Sequence, residues 1–425
     1  MKTRHLVAIA TTFAITAFAT VLGLNITAGE KEINRHLEHH YDVADPQFLR
    51  SMGVLLGPAL VGGNRVTTLL NGDQIFPSML QAIRGAKSTI TFETYIYWSG
   101  SIGKEFADAL SERARNGVKV HLMLDWVGSQ KMDEAAMDQM REGGVEIEKY
   151  HPPRWYTLNR LNNRTHRKLL VVDGRIGFTG GVGIADNWTG QAQDADHWRD
   201  THFRTEGPAV AQMQAAFTDN WTKVTGRVLH TAAYFPPLKA AGPQYAQVFQ
   251  SSSEGGAESM HLMYLLSIAA AAKSIHLSTA YFVPDEVTRE TLIAALDRGV
   301  RVQIILPGPI QDAELVGEAS RSGWGELLER GAEIYEYQPT MFHSKILTVD
   351  GLWTSVGSTN FDNRSFRLND EANLNVYNRE FAQRQVADFG EDLKRSRRTT
   401  YDEWNARPWT EKLRQKVLTL FNAQF

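Results

Sequence analysis

An α/β fold built twice over is what this sequence predicts, and three observations carry the prediction. Strand-like and helix-like segments alternate from Arg65 onward, the pattern of a largely parallel sheet with helices on its faces. Their order recurs in the second half: AKSTITFETYIY from Ala86 is echoed by AKSIHLSTAYFV from Ala272, NGVKVHLML from Asn116 by RGVRVQIIL from Arg298, and GGVEIEKYHP from Gly143 by RGAEIYEYQP from Arg330. A His-x-Lys-(x)4-Asp motif running into a glycine loop occurs in each half, the second 177 positions after the first. Repetition on this scale implies duplicated units. The expectation is two tandem α/β/α domains packed about a pseudo-two-fold axis, with both motifs at one cleft.

The chain starts with Lys2 and Arg4, continues as an uncharged 19-residue run from Leu6 to Leu24, and then reaches Glu30 and Lys31. That length just crosses a bilayer as a helix, and the leading positive charges hold the N-terminus in the cytoplasm. Residues 1–30 are therefore expected to be a hydrophobic membrane anchor or, with Ala17-Phe18-Ala19 as a cleavage site, a signal segment. Either leaves the bulk of the chain outside the cytoplasm. Residues 31–63 read as a connector, with a polar helical stretch from Glu30 to His40 and an apolar patch from Met52 to Val61. His36, His39 and His40 cluster there, but no third ligand type is spaced around them, so a solvated helix face accounts for them better than a metal site.

The first unit is expected over 64–230. Val66 to Leu70 is strand-like, Gln74 to Arg84 helical, Thr89 to Tyr97 a strand, and Gly103 to Asn116 a helix capped by Ser101. Val118 to Trp126 is an apolar strand, Asp133 to Arg141 a helix and Val145 to Tyr150 a strand. The periodic signal lapses from His230 to Gly242, where Pro236, Pro237 and Gly242 mark a linker. The second unit, 243–400, ends in a predicted helix from Arg379 to Arg398, whose Lys394, Arg395, Arg397 and Arg398 form a solvated face or meet anionic headgroups. Residues 401–425 hold a mildly amphipathic helix from Trp409 to Phe425, docked on the domain or lying at a membrane interface.

With 43% of its 425 residues hydrophobic, the chain can fill two cores. A net charge of −3 supplies no global basic field, which argues against a nucleic-acid partner. Cysteine is absent, which removes disulfides, thiolate nucleophiles and cysteine metal sites while leaving the redox compartment open.

The chemistry concentrates at MFHSKILTVDGLWTSVGSTN, from Met341 to Asn360. Ile346 to Val349 forms a strand, Asp350-Gly351 a tight turn, and a second strand runs into Gly357-Ser358. Alternate residues of an extended chain share a face, so His343 and Lys345 point the same way. With the Gly-Ser-x-Asn loop they make a pocket for one phosphate. Asp350, at the turn, is expected to fix the hairpin through bonds to its own turn backbone. THRKLLVVDGRIGFTGGVG, from Thr165, repeats the design with His166, Lys168, Asp173 and Gly180. Two histidines, two lysines and small donors around one site suit attack on a phosphodiester: one imidazole attacks phosphorus while the other protonates the leaving alkoxide and then deprotonates the acceptor. Lys168, Lys345, Ser358 and Asn360 would stabilise the growing charge. No metal or other cofactor is required, and Glu371, just past the loop, is the candidate for orienting one imidazole.

These residues resemble the signature of the phospholipase D superfamily, a pair of His-x-Lys-(x)4-Asp-(x)6-Gly-Ser-x-Asn motifs. His343, Lys345, Asp350, Gly357, Ser358 and Asn360 match it in full, and Asn369 and Glu371 match its downstream Asn-x-Glu. The segments RLNNRTHRKLLVVDGRIGFTGG, DHWRDTHFRTEGPAV and NFDNRSFRLNDEANL resemble bacterial cardiolipin synthases, and the likeness runs from about Asn64 to Tyr377. The first motif departs from the pattern: Gly181 stands in the serine position, Gly183 replaces asparagine, and Asp200 lies near where Glu371 sits in the second half. Backbone N–H groups at Gly180 and Gly181, or Asn187, would then have to serve the phosphate. The resemblance implies a catalytic set of His166, Lys168, Asp173, His343, Lys345 and Asp350, with His166 as nucleophile and His343 as acid and base. It implies a phosphatidyltransferase acting on phospholipids such as phosphatidylglycerol through a phosphohistidine, held by a single N-terminal anchor at a bacterial inner membrane with its catalytic unit periplasmic. A phospholipase D that uses water as acceptor shares every one of these residues. A non-catalytic lipid-binding protein is the reading from a different class, to which Gly183 alone points.

Overall fold

The computed structural model of the chain describes residues 5, 10–18, 20, 33, 35–152, 163–251 and 259–418. Of the apolar run from Leu6 to Leu24, all but residues 10–18 and 20 lies outside the described residues, as do Glu30 to Glu32 and Asn34. Residues 10–18 are helical, and no described helix is long and apolar enough to cross a membrane.

The stretch around the histidine cluster is not a helix over residues 35–40. The reason is external pairing: His39 Nδ1 lies 2.7 Å from the Ala269 carbonyl, and Val43 N–H donates to the Ala270 carbonyl at 3.1 Å. The helix that follows, α1 (Pro46–Leu55), has proline in its first turn and Asp45 as cap, accepting from Gln47 N–H at 2.7 Å. It buries Phe48 and Met52 against the second half's core, with Phe48 edge-on to Trp353 at 5.0 Å. The expected connector is thus docked on the second unit.

The first unit runs β1 (Val61–Leu70), α2 (Asn71–Gly85), β2 (Thr89–Thr94), α3 (Ser101–Arg115), β3 (Lys119–Asp125), α4 (Glu134–Glu142), β4 (Glu146–Tyr150), β5 (Arg164–Thr165), β6 (Leu169–Val172), β7 (Ile176–Gly180), β8 (Thr201–Glu206) and α5 (Ala209–Thr225). Ser101 is the first residue of α3 rather than its cap. Asp186 takes that role from 85 positions away, accepting from the N–H groups of Ser101 at 3.0 Å and Ile102 at 2.9 Å. The second unit runs β9 (Gln244–Ser251), α6 (Ser259–Ala269), β10 (Ser274–Ser278), β11 (Phe282–Val283), α7 (Glu286–Asp297), β12 (Arg301–Pro307), α8 (Glu314–Ser322), α9 (Trp324–Glu329), β13 (Glu333–Tyr337), β14 (Ile346–Val349), β15 (Trp353–Gly357), β16 (Phe361–Asp362), a π-turn (Arg364–Leu368), β17 (Asn369–Tyr377), α10 (Arg379–Leu393) and β18 (Ser396–Thr399).

One continuous sheet carries both units, in the order β18-β13-β12-β10-β14-β15-β17-β9-β1-β8-β7-β6-β2-β3-β4, with β5 added beside β17. Apart from β18, the order reads the same from either edge, and β1 meets β9 antiparallel in the middle. The expected largely parallel sheet is confined to the outer thirds, β2-β3-β4 and β10-β12-β13. The inner strands are antiparallel because each His-Lys motif feeds a hairpin closed by an Asp-Gly turn, and a two-residue turn can only join antiparallel neighbours. A central core of Val66, Leu169 and Phe203 from one half with Val356, Leu374 and Phe381 from the other welds the units.

The basic end of the predicted helix Arg379–Arg398 is instead strand β18, pairing with β13. There Arg397 bonds Glu336 at 2.8 Å, which draws it to the sheet edge. Beyond it the chain forms α11 (Tyr401–Asn405) and α12 (Trp409–Leu418), the latter tied to α8 by Arg414 and Glu318 at 2.6 Å.

Candidate active site

The two motifs meet through their backbones. His166 N–H donates to the Asp370 carbonyl at 2.9 Å, and His343 N–H donates to the Arg199 carbonyl at 2.8 Å. Each histidine therefore docks against the opposite half, on the residue just before an acid. Those acids complete the exchange. Glu371 carries His166 Nδ1 at 2.9 Å and 3.1 Å, and Asp200 carries His343 Nδ1 at 2.8 Å. Glu371 is thus the partner of the other half's histidine, not of His343 in its own motif, because β17 and the residue leading into β8 each present their acid across the interface.

Both imidazoles and both acids are buried. Burial pulls the His166 imidazolium down to about 4, against the pull of Glu371, and lowers His343 in the same way with help from Lys345. Burial alone would raise Glu371 and Asp200, but the facing histidine and lysines hold both carboxyls below their usual range. A carboxylate can only accept, so each neutral imidazole donates from Nδ1 and keeps its lone pair on Nε2. Lys168 and Lys345 hang from their own motifs, donating to the His166 and His343 carbonyls at 3.0 Å and 2.7 Å. Burial depresses them to about 7 and about 8.

The two half-sites hold their acids differently. Ser358 donates its hydroxyl to Glu371 and accepts from Ala372 N–H at 3.0 Å. It is therefore a brace for the acid, not the free phosphate donor expected. In the first half Gly181 leaves that place empty, since a Cβ there would overlap Asp200 Oδ1. Trp188 supplies the missing donor, its Nε1–H reaching Asp200 Oδ2 at 2.9 Å, with its ring edge-on to His343 at 5.3 Å. The Gly181 N–H goes to the Thr201 carbonyl at 3.2 Å, and a Cβ on Gly180 would strike His202. These glycines clear space for the acid and the neighbouring strand. Asn360 keeps a buried side-chain oxygen with no hydrogen-bond partner, while its N–H donates to Ser365 Oγ at 3.2 Å.

Asp173 and Asp350 do not join this set. They sit in the hairpin turns at the far end of β6 and β14, with φ of 52° and 54°. Asp173 accepts from the N–H groups of Lys87, Ser88 and Thr89, the last at 2.9 Å. Asp350 does the same for Ala272, Lys273 and Ser274, at 2.8 to 2.9 Å. Both pin the hairpin to the start of the neighbouring antiparallel strand, β2 or β10, so their place is structural, and Asp350 bonds that strand rather than its own turn. Sequence reasoning missed Trp188 and the clamp beside it, where Arg199 grips Asp392 of α10 at 2.8 Å and 2.7 Å. Neither belongs to a repeated motif. Among the described residues no cluster of His, Asp and Glu is placed to hold a metal.

Two buried His-Lys pairs, each histidine oriented by an acid of the opposite half, define a two-motif phosphodiester-cleaving enzyme of the phospholipase D type. A family model described as "Cardiolipin synthase, PLD-like domain" matches the chain twice, over residues 79–221 and 264–393. The cardiolipin synthase of Geobacillus kaustophilus (strain HTA426) is 35% identical over 362 residues, spanning 84% of this chain and 72% of that protein. The major cardiolipin synthase ClsA of Bacillus subtilis (strain 168) is 35% identical over 364 residues, spanning 84% of this chain and 75% of that one. Among solved structures, the phosphatidylserine synthase of Haemophilus influenzae Rd KW20 shares the fold, with a TM-score of 0.64 over 85% of this chain and 95% of that one at 14% identity. The chain belongs to the cardiolipin synthase, PLD-like family.

Proposed function

We propose that this protein transfers a phosphatidyl group from one phospholipid to a hydroxyl of another, with glycerol leaving when the donor is phosphatidylglycerol. The observation that carries the reading is the crossed pairing of Glu371 with His166 and Asp200 with His343, which sets two Nε2 lone pairs in one site. His166 Nε2 attacks phosphorus, forming an N–P bond as the P–O bond to the headgroup breaks. His343 gives the departing alkoxide a proton, later takes one from the incoming hydroxyl, and that oxygen displaces His166. Burial and Lys345 keep His343 neutral in the empty site. Arrival of the phosphate anion offsets the lysine charge and favours the imidazolium the acid step needs. Lys168, Lys345 and Asn360 hold the non-bridging oxygens, and the resemblance of the first motif gives His166 the nucleophile's role.

The matched order of the two halves, and the double match of one family model, support an origin by internal duplication with pseudo-two-fold packing and unit boundaries near 64–230 and 243–400. Lys2, Arg4 and the uncharged run to Leu24 support an N-terminal anchor at a bacterial inner membrane, with the catalytic unit on the periplasmic side. Incubation with phosphatidylglycerol vesicles, with and without added glycerol, and mass spectrometry of the products tests the reaction. Cardiolipin, suppressed by glycerol, is the expected product; phosphatidic acid alone would make the protein a hydrolase.

A further inference from the structure

The two histidines face different aromatic rings. His343 meets the indoles of Trp188 and Trp198, whereas the ring of Tyr95 stands edge-on to His166 at 5.2 Å. Tyr95 lies just past β2, and the antiparallel register that sets Glu93 opposite Leu169 carries it to the His166 end of β6. Its neighbours fix the backbone there. Ile184 N–H donates to the Ile96 carbonyl at 2.9 Å and Trp98 N–H to the Ile184 carbonyl at 2.8 Å, while a Cβ on Gly128 would strike the Tyr95 carbonyl. Lys168 Nζ lies 5.7 Å from the centre of the same ring, close enough for the ammonium to be drawn to it. One ring therefore touches both the imidazole and the lysine of the first motif.

The phenol hydroxyl of this half-buried side chain has no hydrogen-bond partner among the described residues. Tyr281, which holds the same place in the repeat, gives its own hydroxyl to Asp312 at 2.7 Å. Burial and Asp125 push the Tyr95 phenol up, and Arg164 and Arg364 pull it back, so it keeps its proton at neutral pH and can donate. The first motif is also one phosphate donor short. Gly183 stands where the second motif has Asn360, and no side chain fits there, because a Cβ on Gly183 would lie 2.8 Å from Ile96 Cβ and 3.2 Å from the Trp188 ring. Ile96 is the residue after Tyr95. The segment that fills the place of the missing amide is therefore the one that brings the phenol.

We propose that the Tyr95 hydroxyl is a catalytic hydrogen-bond donor, which holds a non-bridging oxygen of the phosphate while phosphorus bonds His166, the service Asn360 gives from the other half. The inference rests on the phosphohistidine step of the reading above. Phosphate oxygens only accept, so a protonated phenol meets them as a donor, and the bond strengthens as negative charge grows on those oxygens in the transition state. No covalent step is added: the N–P bond forms, the P–O bond to the headgroup breaks, the leaving alkoxide takes its proton from His343, and Tyr95 keeps its own. The ring has a separate part, walling the imidazole beside Lys168, and phenylalanine would keep that part.

The test compares Tyr95→Phe with wild type, both as the full chain in mixed micelles. The donor is phosphatidyl nitrophenol, offered as the phosphodiester and as each of its two phosphorothioate diastereomers, and adduct formation is timed by intact mass. With the phosphodiester the variant should be slower by roughly 10- to 150-fold, the effect of losing a hydrogen bond to a charged group. Sulfur accepts hydrogen bonds weakly. The ratio of wild-type to variant rates should therefore stay large for one diastereomer and approach one for the other, in which sulfur replaces the oxygen that Tyr95 holds. A misfolded fraction would lower every donor alike and leave no such contrast. Equal ratios with all three donors would overturn the proposal, since the hydroxyl would then act through the ring's position or the fold, and so would a variant within twofold of wild type on the phosphodiester. A wild type that forms the adduct but makes only phosphatidic acid from phosphatidylglycerol would overturn the transferase reading, and the three ratios would still decide the role of Tyr95.

Discussion

Glu371→Gln should disable His166 and spare His343, although Glu371 lies in the motif of His343. The carboxylate accepts His166 Nδ1–H at 2.9 Å in a fully buried setting. Losing a charged hydrogen bond of this kind costs about 1.5 to 3 kcal/mol, or roughly 10- to 150-fold in rate. That is the smaller part. A carboxamide can turn its N–H₂ toward Nδ1, which forces the proton to Nε2 and removes the lone pair that attacks phosphorus. The rate then falls by roughly 10³-fold or more, as wrong-tautomer variants of a Ser-His-Asp triad do. The assay uses a phosphatidyl donor with a nitrophenyl leaving group, which needs no protonation. Adduct formation is followed by intact mass at neutral pH, where phosphohistidine survives. Glu371→Gln should behave like His166→Ala, and Asp200→Asn like His343→Ala. The refuting result is Glu371→Gln behaving like His343→Ala, because each acid would then serve its own motif.

Gly181→Ser should cost at least roughly tenfold in kcat, because its Cβ would displace Asp200 and with it the charged bond to His343; an active variant would show the clearance is not needed. Trp188→Phe, which keeps an aromatic ring and drops the N–H to Asp200, should cost about 1 kcal/mol of that positioning and alter the pH profile of kcat more than KM. Asp392→Asn breaks a buried bidentate pair with Arg199 and should destabilise the chain by about 3 to 5 kcal/mol in urea unfolding, whereas a loss under about 1 kcal/mol would remove the clamp from the account. For Lys168, burial lowers the folded pKa from 10.5 to about 7. Between those values the unfolded chain holds a proton the folded chain has released, so stability rises with pH across the window and is lost as pH falls through it. Thermal unfolding should therefore show wild type gaining on Lys168→Met between about pH 7.5 and 9.5, and a constant difference would contradict the depressed pKa.

Local patterns are readable in the sequence and cross-half pairings are not. Asp350-Gly351 and Asp173-Gly174 announce the hairpins because turn chemistry is set by neighbouring residues. Strands β2 to β4 and β10 to β13 follow from their apolar runs. What Asp350 bonds cannot be read, because its partners, the N–H groups of Ala272 to Ser274, lie 76 to 78 positions away. Helix α3 likewise takes its cap from Asp186, a choice made by packing, where local propensity favours Ser101. The Asp45-Pro46 signal of α1 is legible by the same rules that find other helices, but the polar, histidine-rich stretch before it carries the stronger helical pattern. Of the site, His166, Lys168, His343 and Lys345 stand out through their matched spacing. The crossing of Glu371 and Asp200 depends on β1 and β9 joining the two halves into one sheet, which no single segment encodes.

The crossing also bears on why the two histidines should differ. If each acid served its own motif, either half could drift toward independence. As built, neither imidazole is oriented without the other half, so the site exists only when the central core has closed. Symmetry is broken one layer further out. Ser358 can rotate its hydroxyl between Glu371 and the Ala372 carbonyl, whereas Trp188 is fixed by its packing and offers Asp200 a single N–H. His166 accordingly rests on an acid with an adjustable brace, which under the proposed mechanism would follow the imidazole as it gains positive charge on bonding phosphorus. His343 rests on an acid held rigidly and is walled by Trp188 and Trp198, at 5.3 Å and 5.7 Å, an apolar setting suited to the proton transfers the proposed mechanism gives it. Combining Gly181→Ser with Trp188→Phe would remove the indole donor and set a serine hydroxyl beside an Asp200 pushed aside by the new Cβ. If the asymmetry matters to the order of events, that double variant should form the adduct from the nitrophenyl donor as wild type does and release it more slowly, and wild-type rates for both steps would show that the division of labour lies elsewhere.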